Sequence, residues 1–181
     1  MLEDLSAHIL DIAQNSVAAE STCVSVTVRK SAGSIEFEIA DDGRGMNAQQ
    51  AKAALDPFCT SRKTRRVGMG LPFLKQNAEL CEGFFKLDSL PGSGTKVRAE
   101  FLLNSIDTPP LGDLSATILL LLVDAPQIHW LFRYQTDSSA QTFELDSQDL
   151  DDTLGGLDSL RIPDVALGLQ EWIRSSIAEI D

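Results

Sequence analysis

Positive charge is what this chain has least of beyond residue 103. Residues 104–181 hold 3 Lys/Arg against 14 Asp/Glu, residues 1–103 hold 12 against 13, and the formal net charge over 181 residues is -12. A protein this acidic lacks the basic surface that phosphate backbones require, which argues against general nucleic-acid binding. Cysteine is scarce too: Cys23, Cys59 and Cys81 are an odd number without the spacing of a disulfide framework. Reduced thiols in a cytoplasmic setting are therefore expected, and the opening Met-Leu-Glu-Asp has no basic stretch of a secretory leader. Long apolar runs are missing. The longest, Ile118 to Val123, has six residues and stops at Asp124, far short of the roughly 20 that cross a bilayer as a helix. Even so, 43% of the residues are hydrophobic, enough to bury a core. The shift in charge, together with Asp107-Thr108-Pro109-Pro110, marks a boundary near residue 105 and divides the chain into 1–104 and 105–181.

The most telling stretch is Asp41-Asp42-Gly43-Arg44-Gly45-Met46. It follows Ile35 to Ala40, whose alternation predicts a half-buried strand. Two carboxylates and two closely spaced glycines at a strand end describe the mouth of a ligand cleft, because glycine admits a ligand where a Cβ would clash. Upstream, Leu2, Leu5, Ile9, Ile12 and Ser16 recur at helical spacing and predict a helix over residues 2–19. Asp4, His8, Asp11 and Asn15 form a second, polar stripe on it, with Asp11 and Asn15 stacked four residues apart. His8 by itself reads as a helix-surface histidine. Val24, Val26 and Val28 predict a strand that turns at Ser31 to Ser34 into the next. Asn47 is a cap for a short helix ending before Pro57.

Phe58-Cys59-Thr60-Ser61-Arg62-Lys63-Thr64-Arg65-Arg66 then concentrates positive charge in a chain that is short of it. The run leads into Gly68-Met69-Gly70-Leu71 and a helix from Pro72 to Leu80. Glycines ahead of a helix N-terminus offer free N–H groups to an anion, and basic residues with hydroxyls suit a polyphosphate. Phe84 to Leu90 and Thr95 to Leu103 form a second hairpin around Pro91-Gly92-Ser93-Gly94. The expected fold class is α+β: a two-layer sandwich with helices on one face of a mixed, mostly antiparallel sheet, plus a small C-terminal α/β appendage. Gly43-Arg44-Gly45-Met46-Asn47-Ala48 also fits a dinucleotide fingerprint, but the basic run stands where that motif needs a second strand with a terminal acidic residue.

Taken together these pieces resemble the GHKL, or Bergerat-fold, superfamily of ATPases and kinases. Asp11 to Asn15 resembles its N box, Asp41-x-Gly43-x-Gly45 its first glycine box, Phe58-x-Thr60-Ser61-Arg62 with Gly68-x-Gly70-Leu71 its lid and second glycine box, and Gly92-x-Gly94-Thr95 its last. The resemblance spans about residues 1–103. It implies ATP and Mg2+ as ligands, Asp41 as acceptor for the adenine amino group with Thr95 in support, and Asn15 as the Mg2+ ligand. Gly43, Gly45, Met46, Thr60, Ser61, Gly68, Met69, Gly70 and Leu71 line the nucleotide, and Arg62 and Lys63 meet phosphate charge. Asp11 falls where several ATPase members have a glutamate general base, one methylene longer. Asp42 replaces the usual asparagine, and its role is open. With no phosphoacceptor hairpin before the N box, the chain looks similar to small stand-alone members such as anti-sigma-factor serine kinases. The implied function is a protein kinase acting in trans or a slow ATPase in a regulatory complex, or else a non-catalytic, ATP-gated binding module.

In the C-terminal part, Leu111 to Asp124 predicts a buried helix capped by Asp113, Ile128 to Tyr134 and Gln141 to Leu145 a strand pair, and Ile162 onward a terminal helix. Residues 146–154 read only as a polar, acidic stretch. This part is expected to be a packing appendage, or a partner-binding or homodimerisation module.

Overall fold

The computed structural model describes residues 4–57 and 69–181. One mixed sheet of six strands runs in the order β3-β4-β2-β1-β5-β6. The strands are β1 (Cys23–Lys30), β2 (Ser34–Asp41), β3 (Phe85–Ser89), β4 (Thr95–Leu102), β5 (His129–Thr136) and β6 (Thr142–Asp146). All pairings are antiparallel except β1 with β5. The sheet therefore continues through the composition boundary near residue 105, because β5 lies beside β1 in register from Cys23–His129 to Lys30–Thr136.

Alternation decides which face is covered. Val24, Val26 and Val28, Ile35, Phe37 and Ile39, Val97, Ala99 and Phe101, and Trp130, Phe132 and Tyr134 all point into one core. Phe37 and Phe101 stack across it with ring centroids 6.1 Å apart. Over this face lie α1 (Leu5–Ala18), α3 (Gly70–Leu80), α4 (Leu114–Asp124) and α6 (Pro163–Ala178), which contribute Leu5, Ile9 and Ile12, Leu74 and Ala78, Ile118, Leu121 and Leu122, and Leu169 and Ile173. Helices on one face of a mixed, mostly antiparallel sheet is the expected α+β sandwich.

The caps explain most of the helix starts. Asp4 accepts from the Ala7 amide, Asn47 forms a capping box with Gln50 at α2 (Ala48–Ala54), and Asp113 accepts from the Ala116 amide. Residues 146–154 differ from the acidic stretch read in the sequence. Ser147–Leu154 is a helix, α5, with Asp146 accepting from the Gln148 amide at its start and Gly155 left-handed at its end.

The C-terminal part also fixes α1. The amides of Leu5 and Ser6 donate to the carbonyls of Pro110 and Leu111 at 2.9 and 2.8 Å. At the far end of β1, Lys30 Nζ and the Tyr134 hydroxyl both donate to the Asp181 carboxylate.

Candidate functional site

The site begins at the end of β2. Asp41 is its last residue, opposite Val24 on β1 and Thr95 on β4. It has the parity of Phe37 and Ile39, so its side chain points toward α1. Ser16 Oγ donates to Asp41 Oδ2 at 2.7 Å, and the amides of Gly43 and Thr95 donate to Oδ1 at 2.9 and 3.2 Å. A carboxylate offers about four acceptor positions. Three are filled by the protein and lock the rotamer, and the remaining capacity is on Oδ2.

A second network ties the two loops around Asp41 together. Ser89 Oγ accepts from the Met46 amide at 2.8 Å, donates to the Gly94 carbonyl at 3.0 Å and lies 2.9 Å from Thr95 Oγ1. The Gly92 amide donates to the Arg44 carbonyl at 2.8 Å. The packing is backbone against backbone. Gly45 and Gly94 have φ of 62° and 83°. A Cβ on Gly45 would lie 1.9 Å from the Leu90 carbonyl oxygen, and one on Gly94 would lie 1.8 Å from that of Asp41. Only glycine satisfies both demands. Gly43 is similarly confined, since a Cβ there would lie 2.6 Å from Ser21 Oγ.

Helix α1 supplies the other wall. Asp11 and Asn15 sit one turn apart, Asn15 exposed and Asp11 half-buried. The Asp11 carboxyl reaches the start of α3, where a Cβ on Gly70 would lie 2.0 Å from Asp11 Oδ2. Burial pushes the Asp11 carboxyl above its ordinary range. The first turn of α3 receives no side-chain cap from Met69, so its amides remain suited to an anion. Leu71 packs on the core, while Met69 is exposed. Thr60, Ser61, Arg62, Lys63 and Gly68 lie outside the described residues.

Asp42 turns out to face away from the Asp41 carboxylate. It accepts from the amides of Thr22 and Cys23 at 2.7 and 2.9 Å and from the Thr22 hydroxyl. The Cys23 amide and the Thr22 hydroxyl hold its carboxyl below the usual range. Its role is to fasten the start of β1 to the end of β2.

His8 corrects the expectation of a surface residue. It is 1% exposed, with Asn77 Nδ2 on α3 donating to its Nε2 at 2.9 Å. That bond requires a neutral ring protonated at Nδ1, which has no partner. Burial lowers its pKa to about 4. The unfolded chain then binds the extra proton between about pH 6.5 and 4, so folding stability falls as pH drops through that window. A shift of this size corresponds to roughly 3 kcal/mol. Chemical denaturation of wild type and His8→Gln at pH 7 and pH 4.5 is expected to show a much smaller pH loss in the variant. Equal losses would remove His8 as the cause.

Ser16 and Ser89 are the residues of the network around Asp41 that sequence reasoning missed. The available signal was a hydroxyl on an otherwise apolar stripe: Ser16 at the spacing of Ile9 and Ile12, and Ser89 in phase with Phe85 and Leu87.

The chain belongs to the family of histidine kinase-, DNA gyrase B- and HSP90-like ATPases, whose sequence profile matches residues 2–105. It is similar to sensor histidine kinase ZraS of Escherichia coli O157:H7, 26% identical over 110 residues that make up 60% of this chain and 24% of ZraS. Sensor histidine kinase YxdK of Bacillus subtilis (strain 168) is 34% identical over 70 residues, 36% of this chain and 22% of YxdK. The chain thus spans less than a quarter of either relative. Among solved structures, the crystal structure of the N-terminal domain of a DNA repair protein aligns with a TM-score of 0.54 and 14% identity, covering 79% of this chain and 52% of that one. That likeness concerns the fold alone. Among the described residues no helix is long and apolar enough to cross a membrane.

Proposed function

We propose that this chain binds Mg-ATP between α1, the end of β2 and the start of α3, and that it is a protein kinase acting in trans or a slow ATPase in a cytoplasmic regulatory complex. The supporting observation is the Asp41 carboxylate, held by three protein donors with acceptor capacity left on Oδ2. An acceptor-only group of this kind favours a base bearing an amino group. Gly43, Gly45, Met46 and Thr95 would frame the adenine. The start of α3 with Met69, Gly70 and Leu71, and the run with Thr60, Ser61, Arg62, Lys63 and Gly68, would meet the phosphates. Asn15 is exposed one turn from Asp11, and its amide oxygen is a donor that suits Mg2+ alongside phosphate oxygens. When bound, the metal supplies neutralisation of phosphate charge. Asp11 is the candidate base, since a carboxyl raised by burial is better matched to neutral pH. Residues 1–104 form the nucleotide unit and 105–181 the appendage through which a protein partner, or a second copy, would be met.

A second reading is a nucleotide-gated binding module. It draws on the bonds from Leu5 and Ser6 to Pro110 and Leu111, through which α1 would transmit occupancy to residues 105–181. ATP binding and turnover in wild type, Asp11→Ala and Asn15→Ala separate the two. For an enzyme, Asp11→Ala is expected to keep ATP affinity while turnover drops by about 100-fold, and Asn15→Ala to remove the Mg2+ dependence of binding. Turnover unchanged in Asp11→Ala would dismiss the base, and tight binding without turnover in wild type would favour the module.

A further inference from the structure

Away from the nucleotide site, three strands bring together a thiol, an imidazole and a carboxylate. Cys23 opens β1, His129 opens β5 directly opposite it, and Asp146 ends β6. Each is out of phase with its strand's buried residues, so all three share the sheet face turned away from the helices. His129 Nε2 lies 2.8 Å from Asp146 Oδ1, and His129 Nδ1 lies 4.0 Å from Cys23 Sγ. The bond to the carboxylate keeps the ring proton on Nε2 and leaves the Nδ1 lone pair for the thiol. The site is reachable, with the His129 and Asp146 side chains 26% and 32% exposed and Cys23 half-buried. Among the described residues no three such side chains are arranged to hold a metal ion, so the line reads as a proton relay.

We infer that Cys23 is a nucleophilic thiol, with His129 as its general base and Asp146 as the orienting carboxylate, and that it reacts with small disulfides bearing no negative charge. The Cys23 sulfur attacks one sulfur of R–S–S–R while His129 Nδ1 takes the thiol proton. The S–S bond of the reagent breaks, and the departing sulfur leaves as RSH with the proton from the imidazolium. The products are Cys23–S–S–R and one RSH; one disulfide is consumed and one formed, so no outside oxidant is needed. The titratable groups around the thiol are Asp42 from the end of β2, His129 from β5 and Asp146 from β6. Burial and the two carboxylates push the thiol up. The thiol therefore keeps its proton at rest and gives it up only during attack. The same carboxylates repel an anionic reagent. Because the Cys23 amide donates to Asp42, an adduct would bear on the residue next to Asp41. Neither half of the chain has the line alone: Cys23 lies within the family match, His129 and Asp146 beyond it.

The test is timed mass spectrometry, with peptide mapping, of the folded full chain in cystamine, a cationic disulfide. Cys23 is expected to be modified at least about tenfold faster than buried Cys81, and H129Q to slow Cys23 by about tenfold or more. The wild-type pH–rate curve should carry a second bend below that of the thiol and lose it in H129Q. Equal rates and equal pH profiles in wild type and H129Q would overturn the assignment, as would an unmodified Cys23. Should H129Q fail to fold, the wild-type curve decides alone, and a single bend in the ordinary thiol range overturns it.

Discussion

Replacing Asp41 with asparagine is expected to weaken ATP binding by at least about 100-fold while leaving the fold in place. Asparagine is nearly the same shape. Its carbonyl oxygen can keep the Gly43 and Thr95 amides now held by Oδ1, and its NH2 can donate to Ser16 Oγ, which turns its own proton elsewhere. What changes is the free side of the group. An acceptor becomes a donor, and a donor set against an adenine amino group leaves both unpaired in a partly dry site, the condition under which a binding site discriminates most strongly. Calorimetric titration of the full chain with ATP measures this directly. An affinity within about threefold of wild type would remove Asp41 from the adenine contact.

Gly94→Ala is expected to have a comparable effect on binding, but through the fold. The added methyl would lie 1.8 Å from the Asp41 carbonyl oxygen and 2.9 Å from Asp42 Cα, at a φ of 83°. Both neighbours are backbone of the strand end that presents Asp41, so neither can step aside cheaply. Left-handed alanine adds strain of its own. The turn at 91–94 must then withdraw, taking the Thr95 amide from Asp41 and the Gly94 carbonyl from Ser89. A loss of about 3 kcal/mol or more in denaturant unfolding is expected, with ATP affinity lost in parallel. Gly92→Ala is the control. Its φ is 74°, yet a Cβ there has nothing within 4 Å, so only the left-handed conformational cost of about 1–2 kcal/mol applies. Equal losses at the two positions would mean that contact with Asp41 is not what requires glycine at 94.

The contrast between these glycines shows where sequence reading stops. Strands β1, β2 and β4 were legible because valine, isoleucine and phenylalanine alternate with polar residues over a sheet covered on one face only. The caps at Asn47 and Asp113 were legible because capping is local. Helix α5 was hidden: between Asp146 and Leu154 only Leu150 and Leu154 are apolar, so helical periodicity is faint, and the structure rests on the Asp146 cap and the left-handed Gly155. The parallel β1–β5 pair joins residues about a hundred positions apart and leaves no mark in either segment. Burial of His8 depends on Asn77, one helix away. Asp41 was legible as a candidate from its place before two glycines. Asp42, its neighbour, was not, because only the end of the strand shows that the two carboxylates point to opposite faces.

Hydrogen–deuterium exchange of the full chain with and without ATP and Mg2+ tests the nucleotide site most directly. The assignment predicts slower exchange in peptides covering residues 41–47 and 89–95 and at the start of α3, with 129–146 far less affected. Unchanged exchange around Asp41 and Thr95 under saturating ATP, or protection confined to residues 129–146, would contradict it.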